Sequence, residues 1–172
     1  MAIDESSLRG PVPLEAHHET ASFDCGVAAL NGYLQRFAMP NQQANAARTY
    51  VATRGDRIVG YYTLAFGSIE PNQASNRVRR GLAKHPIAIM LLARLAVDVM
   101  EQKQGIGRGL LKDAILRTLK AAEIAGLRAI VVHAKDDLAR KFYESLGFEP
   151  SLIDEFHLML LLKDAKSVLA GS

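Results

Sequence analysis

The sequence predicts an α/β fold, and three consecutive segments carry the prediction. Leu91–Val97 is an apolar run of strand length, as expected for a strand that is buried on both faces. A polar, glycine-containing turn follows it, and then a helical pattern of apolar residues from about Gly107 to Ala125. The next segment, Leu127–Val132, is a second short apolar run. Because a helix connects the two runs, they should lie parallel in one sheet.

An amphipathic helix is predicted near the amino terminus, after about 20 residues that show no clear period. Asp24 is expected to cap this helix and Phe23 to pack under its first turn as a hydrophobic staple. Asn41–Ala47 adds a turn or a short helix. The helix itself is placed over Gly26–Ala38 by four apolar residues at helical spacing: Val27, Leu30, Leu34 and Phe37.

Two strands are predicted next, Thr49–Thr53 and Arg57–Phe66, joined by a hairpin turn that contains Gly55. Gly67–Pro86 shows the least regular pattern. Loops of this length are uncommon inside compact domains and are often functional, although a solvated linker is the alternative. The segment carries a basic cluster whose guanidinium groups suit phosphates: Arg77, Arg79, Arg80 and Lys84.

The last part of the chain is predicted to hold one more helix and one more strand. The helix covers Leu138–Leu146, with Asp136 or Asp137 as its cap and Gly147 as its stop. The strand covers Phe156–Leu162, and the residues after it are expected to fray.

The turn at Gln102–Gly107 is typical of an anion-binding site. Its glycines let the backbone approach a ligand, and the first amides of the following helix have no internal partners. The absence of Gly-Lys-Ser/Thr argues against a P-loop, and the absence of a third glycine argues against a dinucleotide fingerprint. An ordinary strand-turn-helix junction would use the same glycines, so the turn by itself leaves that alternative open.

Size and composition predict one domain in the cytoplasm. The chain has 172 residues, of which 49% are apolar, and this is enough for a single core. Its one cysteine, Cys25, cannot form an internal disulfide and is interpreted as a small buried residue. The amino terminus lacks the order of a signal peptide, and no apolar run approaches the roughly 20 residues that cross a bilayer.

The charge is unevenly distributed. Residues 1–30 carry one basic and five acidic side chains, whereas residues 31–112 carry twelve basic and four acidic ones. A middle segment with a net charge of +8 suits an anionic partner larger than a coenzyme, and nucleic acid is the commonest such partner. Ordinary solubility is the competing explanation.

Two motifs resemble those of the GNAT superfamily of acyl-CoA N-acyltransferases. Gln102–Gly107, Q-x-x-G-x-G after a strand, resembles motif A, and Ala139–Glu149, ARKFYESLGFE, resembles motif B. The resemblance implies one GNAT domain over residues 1–172, with a mixed sheet of about six to seven strands and about four flanking helices. It also implies a splay between the strands at 87–97 and 127–132.

The resemblance further implies acetyl-CoA as co-substrate. It places the pyrophosphate on the turn and the acetyl carbonyl near the backbone amides at the end of the preceding strand, Asp98 included, provided that the strand is splayed there. The residues implied to bind acetyl-CoA are Leu95, Ala96, Val97, Gln102, Lys103, Gln104, Gly105, Gly107, Arg108 and Gly109.

Tyr143 is the implied catalytic residue. Acyl transfer to an amine expels a thiolate, and a positioned phenol can protonate it as a general acid. Without the two motifs together, Tyr143 beside Phe142 would be interpreted as a core aromatic residue. For the general base, His133 at a strand end competes with a purely structural role, and Asp98 is expected to cap the turn instead. The five histidines show no metal-ligand spacing, so no metal is expected.

Three longer blocks resemble the TacT-like acetyltransferase toxins of bacterial toxin-antitoxin pairs: Phe23–Ala52, Arg77–Asp98 and Gly126–Phe148. This resemblance implies acetylation of the α-amine of aminoacyl-tRNA, which blocks translation. It also implies a ribbon-helix-helix antitoxin, operator DNA bound through that antitoxin, and a homodimer. The implied tRNA contacts are Arg77, Arg79, Arg80, Lys84 and Arg94.

Two other functions stay open from the sequence. The first is an acetyltransferase that acts on a protein amino terminus, a lysine or a small amine. The second is a non-catalytic module that binds coenzyme A or nucleic acid. The basic middle segment favours tRNA over a polyamine, because a basic cleft would repel a polyamine.

Overall fold

A computed structural model describes residues 4–171 of the chain, and the ends of the predicted single domain, residues 1–3 and 172, lie outside the described residues. Within residues 4–171 a seven-stranded sheet has the order β1-β2-β3-β4-β5-β7-β6. β4 and β5 pair in parallel, whereas β1 with β2, β2 with β3, β5 with β7 and β6 with β7 are antiparallel. The predicted α/β class with a mixed sheet is confirmed.

The strands are β1 (Leu8–Pro13), β2 (Arg48–Arg54), β3 (Arg57–Ile69), β4 (Ile87–Val97), β5 (Ala129–His133), β6 (Glu149–Pro150) and β7 (His157–Leu161). The α-helices are α1 (Ala28–Gly32), α2 (Ala38–Gln43), α3 (Asn76–Arg79), α4 (Ile106–Ala122), α5 (Asp137–Glu144) and α6 (Leu162–Ala170). These elements belong to two compact units. The first unit comprises the chain up to Ala65 together with Ala93–Ala114, and the second comprises Phe66–Leu92 and the chain from Ile115 onward.

The core of the first unit is built around Tyr61 of β3. Its buried ring meets the Phe23 ring edge-on, with centroids 5.6 Å apart, and stacks on Tyr33 at 6.4 Å. The Tyr61 hydroxyl donates to the Leu30 carbonyl oxygen at 2.7 Å, so the buried phenol is satisfied. The other buried residues of this core are Leu14, Leu34, Ala38, Val51, Ile58 and Ala96.

The helix predicted over Gly26–Ala38 forms, but its start differs from the prediction. It begins at Ala28, and a π-helical turn at Tyr33–Phe37 joins α1 to α2. Asp24 does not cap it, because the Asp24 carboxylate accepts hydrogen bonds from the Gly26 amide at 2.8 Å and the Asn31 side chain at 3.0 Å. Asp24 therefore stabilises the turn before the helix.

Strand β1 was not predicted from the sequence. Five of its six residues are exposed and its pairing with β2 is interrupted between Arg9 and Val12, so no alternation of apolar and polar residues marks it. This edge strand is defined by its partner β2 and not by its own pattern.

In the second unit, alternate residues of three strands form one apolar face. Ala74 and Val78, which lie before and within α3, cover this face and are fully buried. The residues of the face are Ile87, Ile89, Ala129, Val131, Met159 and Leu161. Successive side chains of a strand point to opposite faces, so alternate apolar residues create this face, and α3 packs against it.

One expectation for the second unit is wrong in part, and another is wrong. Gly67–Pro86 is regular at its start, because β3 continues to Ile69, a 3₁₀ turn covers Pro71–Gln73, and Ser75 caps α3 by accepting a hydrogen bond from the Val78 amide, whereas residues 80–86 form neither helix nor strand, as expected. The carboxyl-terminal segment does not fray but forms α6, because Leu162 and Ala165 are buried on one side of it. Short helices of this kind depend on packing more than on propensity.

The parallel pairing of β4 with β5 is short. Its register runs from Ile89↔Ala129 to Leu92↔Val132, although β4 itself continues to Val97. Because β5 ends at His133, one residue after the last pair, the predicted splay between these strands stays a prediction.

Gly60 of β3 sets how closely α4 packs on the first unit's strands. A Cβ atom at this position would lie 3.0 Å from Leu110, 3.2 Å from Ile106 and 3.3 Å from the Ala96 carbonyl oxygen. Ile106 is the first residue of α4, so the missing side chain at Gly60 lets the start of this helix approach the sheet.

We expect Gly60→Ala to lower the free energy of unfolding by about 1–2 kcal/mol, because overpacking outweighs the reduced entropy of the unfolded chain. Urea denaturation measures this change. Gly126→Ala is the matched control, since a Cβ atom there meets nothing within 4 Å. Equal stabilities of the two variants would contradict the proposed contact between Gly60 and α4.

Candidate active site

The turn between β4 and α4 has a backbone shape suited to an anion. Lys103 and Gly105 both have a left-handed conformation, with φ of +66° and +80°. This conformation costs a lysine about 1 kcal/mol, so the surrounding contacts hold it in place. A Cβ atom at Gly105 would meet nothing within 4 Å, which means that space is open beside the backbone. Left-handed residues of this kind are typical of anion-binding turns.

The start of α4 supplies hydrogen-bond donors next to that turn. The Gly109 amide donates to the Gly105 carbonyl oxygen at 3.0 Å and so begins the helical hydrogen bonds. The amides of the first helical residues, Ile106, Gly107 and Arg108, are those that an α-helix leaves without internal partners. Together with the helix dipole they favour a phosphate group. The Gly109 amide is used within the helix, and a contact of Gly109 with acetyl-CoA stays a prediction.

Asp98 fixes the end of β4, as expected from the sequence. It is 4% exposed, and its carboxylate accepts hydrogen bonds from the amides of Met100 at 2.9 Å and Asp24 at 3.1 Å. Its own amide donates to the Val59 carbonyl oxygen at 2.9 Å. The expectation that the Asp98 amide is available to an acetyl carbonyl is therefore wrong, because this donor is already used.

Glu101 anchors the start of the glycine turn to the hairpin between β2 and β3. Its buried carboxylate accepts hydrogen bonds from Arg54 at 3.1 and 3.2 Å and from Arg57 at 3.1 Å. The hydrogen bonds from Arg54, followed by those from Arg57, lower the pKa of Glu101 below its ordinary value despite its burial. Arg54 also donates to the Ser6 carbonyl oxygen at 2.6 Å. These contacts hold the residue directly before Gln102.

The residues predicted to bind acetyl-CoA form one continuous segment of the first unit. The Gln102 side chain donates to the Val97 carbonyl oxygen at 3.1 Å and ties the turn to the strand end. Gln104 accepts from Arg54 at 3.5 Å. Ala96 is buried, Leu95 and Val97 are half-buried, and Lys103 and Arg108 are exposed. Direct contact of these residues with a ligand stays a prediction.

Tyr143 lies on α5 in the second unit. Asp136 caps this helix by accepting a hydrogen bond from the Ala139 amide at 2.8 Å, as predicted. The Tyr143 ring packs against Phe142 and Phe148, with centroids 5.2 and 5.5 Å away. Burial raises the pKa of Tyr143, so its phenol is protonated at neutral pH and able to donate a proton.

His133 and His157 form a stacked pair at one end of β5 and β7. Their ring centroids are 4.1 Å apart and the rings are almost parallel, at 11°. His133 is exposed, whereas His157 is 6% exposed and its Nε2 atom has no hydrogen-bond partner within the described residues. Burial lowers the pKa of His157, and the nearby His133 lowers it further. His157 is therefore neutral at pH 7, and a role for His133 as base stays untested.

Arg94, the charged residue inside β4, has an aromatic partner. Its guanidinium carbon lies 3.6 Å from the centroid of the Tyr33 ring. A cation held over an aromatic face in this way is stabilised by the ring's electron density. A contact of Arg94 with tRNA stays a prediction.

In the basic cluster of the second unit, one side chain is ion-paired and three are exposed. Arg77 forms a bidentate ion pair with Asp164 of α6, at 2.7 and 2.8 Å. Arg79 donates to Asn76 at 3.1 Å and remains exposed, as do the side chains of Arg80 and Lys84. Arg77 is thus engaged with a carboxylate, whereas the other three line an open groove.

The described part of the chain contains neither a cluster of metal-ligating side chains nor a helix that could span a membrane. Within residues 4–171, no three or more His, Cys, Asp or Glu side chains are placed to hold a metal ion. No helix in the same range is long and apolar enough to cross a bilayer. Cys25 is half-buried, so the expectation of a buried residue is met only in part, and its thiol donates to the Val27 carbonyl oxygen at 3.6 Å.

The sequence did not reveal the residues that support the turn. Glu101 adjoins the Gln102–Gly107 motif, which is a signal, but its partners Arg54 and Arg57 lie 47 and 44 positions away. Gly60 carries no motif at all. A cross-strand view of the predicted hairpin would have placed Arg54 beside Arg57, without indicating what they bind.

Comparison with known proteins identifies a family. The pattern of the family described as "Acetyltransferase (GNAT) domain" matches residues 45–150. A "tRNA-acetylating toxin" of Mycobacterium tuberculosis (strain ATCC 25618 / H37Rv) is 43% identical over 164 residues, which cover 95% of this chain and 98% of that protein.

Two solved structures are similar over nearly their whole length. AtaT complexed with acetyl-methionyl-tRNAfMet has a TM-score of 0.84 and 27% identity, covering 94% of this chain and 98% of that one. A tyrosine-to-phenylalanine mutant of the AtaT toxin, bound to acetyl-CoA and the C-terminus of the antitoxin AtaR, has a TM-score of 0.79 and 27% identity. That match covers 94% of this chain and 96% of the other.

We expect Glu101→Gln to lower the free energy of unfolding at pH 7 by about 1–3 kcal/mol, the usual range for hydrogen bonds to a charged group. The folded-state pKa of Glu101 is lowered, so its contribution is present above the unfolded value of about 4.3 and is lost as the pH falls through the folded value. The difference between wild type and variant should therefore shrink between about pH 5 and pH 3.

Urea denaturation at several pH values measures this difference. Glu123→Gln, at an exposed position after α4, is the matched control and should differ little from wild type at every pH. A deficit of Glu101→Gln that stays constant down to pH 3 would show that its carboxylate charge is not the stabilising feature.

Proposed function

The chain belongs to the GNAT-domain acetyltransferases, and we propose that it transfers the acetyl group of acetyl-CoA to the α-amine of an amino acid charged on tRNA. The observation that carries this proposal is the 43% identity, over nearly both full lengths, to a protein named tRNA-acetylating toxin. An acetylated α-amine no longer acts as a nucleophile in peptide-bond formation. The proposed reaction therefore blocks translation.

The proposed site for the coenzyme A pyrophosphate is the glycine turn of the first unit. Its left-handed residues, the open space at Gly105 and the partnerless amides at the start of α4 suit a doubly charged diphosphate. The exposed side chains of Lys103 and Arg108 add positive charge. A structure of AtaT that contains acetyl-CoA has a TM-score of 0.79 to this chain, which supports the proposal.

Tyr143 is proposed as the general acid. As the amine forms its bond to the acetyl carbon, the carbon-sulfur bond breaks and Tyr143 donates its phenolic proton to the departing sulfur. Water takes the proton that the amine loses. The raised pKa of Tyr143 supports this role, because a phenol that stays protonated is available as a donor. Acetyl transfer with Tyr143 needs no metal.

The proposed partners follow from related proteins. AtaT has been solved with the C-terminus of the antitoxin AtaR, and the AtaT-AtaR complex has been solved with bound DNA. We propose that an antitoxin of the ribbon-helix-helix class likewise neutralises this chain and connects it to operator DNA. A homodimer and a cytoplasmic location, where charged tRNA is found, belong to the same proposal.

The direct test mixes purified protein, radiolabelled acetyl-CoA and bulk charged tRNA, with peptides and polyamines as parallel acceptors. We expect label on the α-amine of aminoacyl-tRNA, which survives as an N-acetylated amino acid after the ester bond is hydrolysed. Label on peptides or polyamines with charged tRNA left unmodified would establish the rival acetyltransferase function instead.

We expect Tyr143→Phe to lower kcat by about 10²-fold to 10⁴-fold, the usual contribution of general acid catalysis, with little change in acetyl-CoA binding. Single-turnover kinetics and isothermal titration calorimetry measure the two quantities. Tyr50→Phe, which removes a phenol from the first unit, should keep the wild-type kcat. A near-normal kcat for Tyr143→Phe would remove this residue from the acid role.

Because Arg77 is paired with Asp164, substitutions of the two residues can distinguish two roles of Arg77, anchoring α3 and binding a phosphate. If Arg77 serves to anchor α3, as its bidentate contact indicates, Asp164→Asn and Arg77→Gln should raise the KM for charged tRNA by similar small factors. If Arg77 binds a phosphate directly, Asp164→Asn should instead lower that KM, because it releases the guanidinium. Steady-state kinetics with charged tRNA distinguish the two results.

A further inference from the structure

An open groove of about 750 Å³ lies in the second unit, between the end of β3 and the start of β4. Its charged lining is three cations, Arg79, Arg80 and Lys84, against one carboxylate, that of Glu70. The Glu70 backbone amide donates to the Gln73 side-chain oxygen at 2.9 Å, and the Glu70 carboxylate offsets one of the three cations. The lining is completed by Pro71, Asn72, Asn76, Leu82, Ala83 and Ile87. The charge that remains for a ligand is therefore positive.

The backbone that presents these cations is held by other side chains. Arg128, just before β5, donates to the Val78 carbonyl oxygen at 2.8 Å and to the Arg80 carbonyl oxygen at 2.9 Å. Arg77 is fixed to Asp164 of α6, and Ser75 caps α3. Because Arg128 and Arg77 do the anchoring, the side chains of Arg79, Arg80 and Lys84 are left at the surface.

The position of the groove separates it from the chemistry. Ile87, which lines the groove, is the first residue of β4, so the groove lies at the amino-terminal end of that strand. Open α/β sheets bind their reacting ligands at the carboxyl ends of their strands. In this unit the carboxyl end of β5 leads to Asp136 and α5, the helix of Tyr143. A ligand in the groove is therefore not the reacting end of a substrate.

We infer that this groove binds the phosphodiester backbone of tRNA at a distance from its charged end. The inference rests on the proposed function, since it concerns the same substrate. Guanidinium forks bind phosphate oxygens bidentately, and the amides of Asn72 and Asn76 provide further donors to phosphate and sugar oxygens. A substrate as large as tRNA has many phosphates far from the reacting amine. Contacts made there raise the affinity for tRNA without taking part in acetyl transfer.

The experiment compares two acceptors that share the reacting end. One is full-length charged tRNA, and the other is an aminoacylated oligonucleotide that contains only the single-stranded CCA end. The triple variant Arg79→Gln, Arg80→Gln, Lys84→Gln should raise the KM for full-length tRNA by about 10-fold to 100-fold at 150 mM salt, with kcat unchanged. The kcat/KM for the short acceptor should stay at the wild-type value.

Binding of uncharged tRNA is measured in parallel by fluorescence anisotropy at several salt concentrations. The slope of log K against log salt should fall in magnitude by about 2–3, because each lost phosphate contact removes about 0.7–0.9. The matched control, Lys120→Gln, Lys163→Gln, Lys166→Gln, changes the net charge equally at exposed positions outside the groove. It should leave the KM within about twofold of wild type if the groove contacts are local.

An equal loss with both acceptors, or an equal loss in the control, would overturn the inference. So would unchanged tRNA binding by the groove variant together with lost antitoxin binding, which would assign the groove to a protein partner. Thermal unfolding of each variant shows that it is folded. If the proposed function is wrong, the wild-type protein will acetylate neither acceptor. The binding of uncharged tRNA by wild type and groove variant, measured at several salt concentrations, would still test whether the groove binds tRNA.

Discussion

The partnerless amides at the start of α4 are the constraint on which the first unit depends. An α-helix leaves its first amides without internal partners, and in this chain those amides follow a turn with left-handed residues and open space beside Gly105. Gly60 lets that helix end lie close to the strands, and the carboxylate of Glu101 fixes the chain entering the turn. The resemblance to the GNAT family implies that this turn and helix start bind a pyrophosphate.

The ion pairs of this chain differ in what they achieve. Glu101 is almost fully buried between two arginines, so its charge is satisfied by fixed donors and its position is well defined. The pair between Arg77 and Asp164 is half-exposed, and such pairs contribute little to stability because water competes for both charges. Its effect is geometric: it orients α3 and so determines which basic side chains point to solvent.

Burial changes the pKa values of two tyrosines and one histidine in this chain. Tyr61 and Tyr143 are both buried with raised pKa values, yet the Tyr61 hydroxyl donates to a backbone carbonyl within the core, whereas Tyr143 lies in the motif that resembles the family's acid. His157 is kept neutral by burial beneath His133. A shifted pKa alone does not mark a catalytic residue, and its neighbours and motif must be considered with it.

The sequence predicted the α/β class, the glycine turn, a cap at Asp136 or Asp137 and the Tyr143 motif, because each is marked by apolar periodicity or by residues that are neighbours in the chain. It could not determine β1, α6 or the partners of Glu101, Arg77 and Arg94. Those features need residues that are distant in the chain: Asp164 is 87 positions from Arg77, and β1 is a strand only because β2 pairs with it. Local patterns fix the backbone conformation, whereas the partner of a charge and the face that buries a short helix are decided by packing in three dimensions.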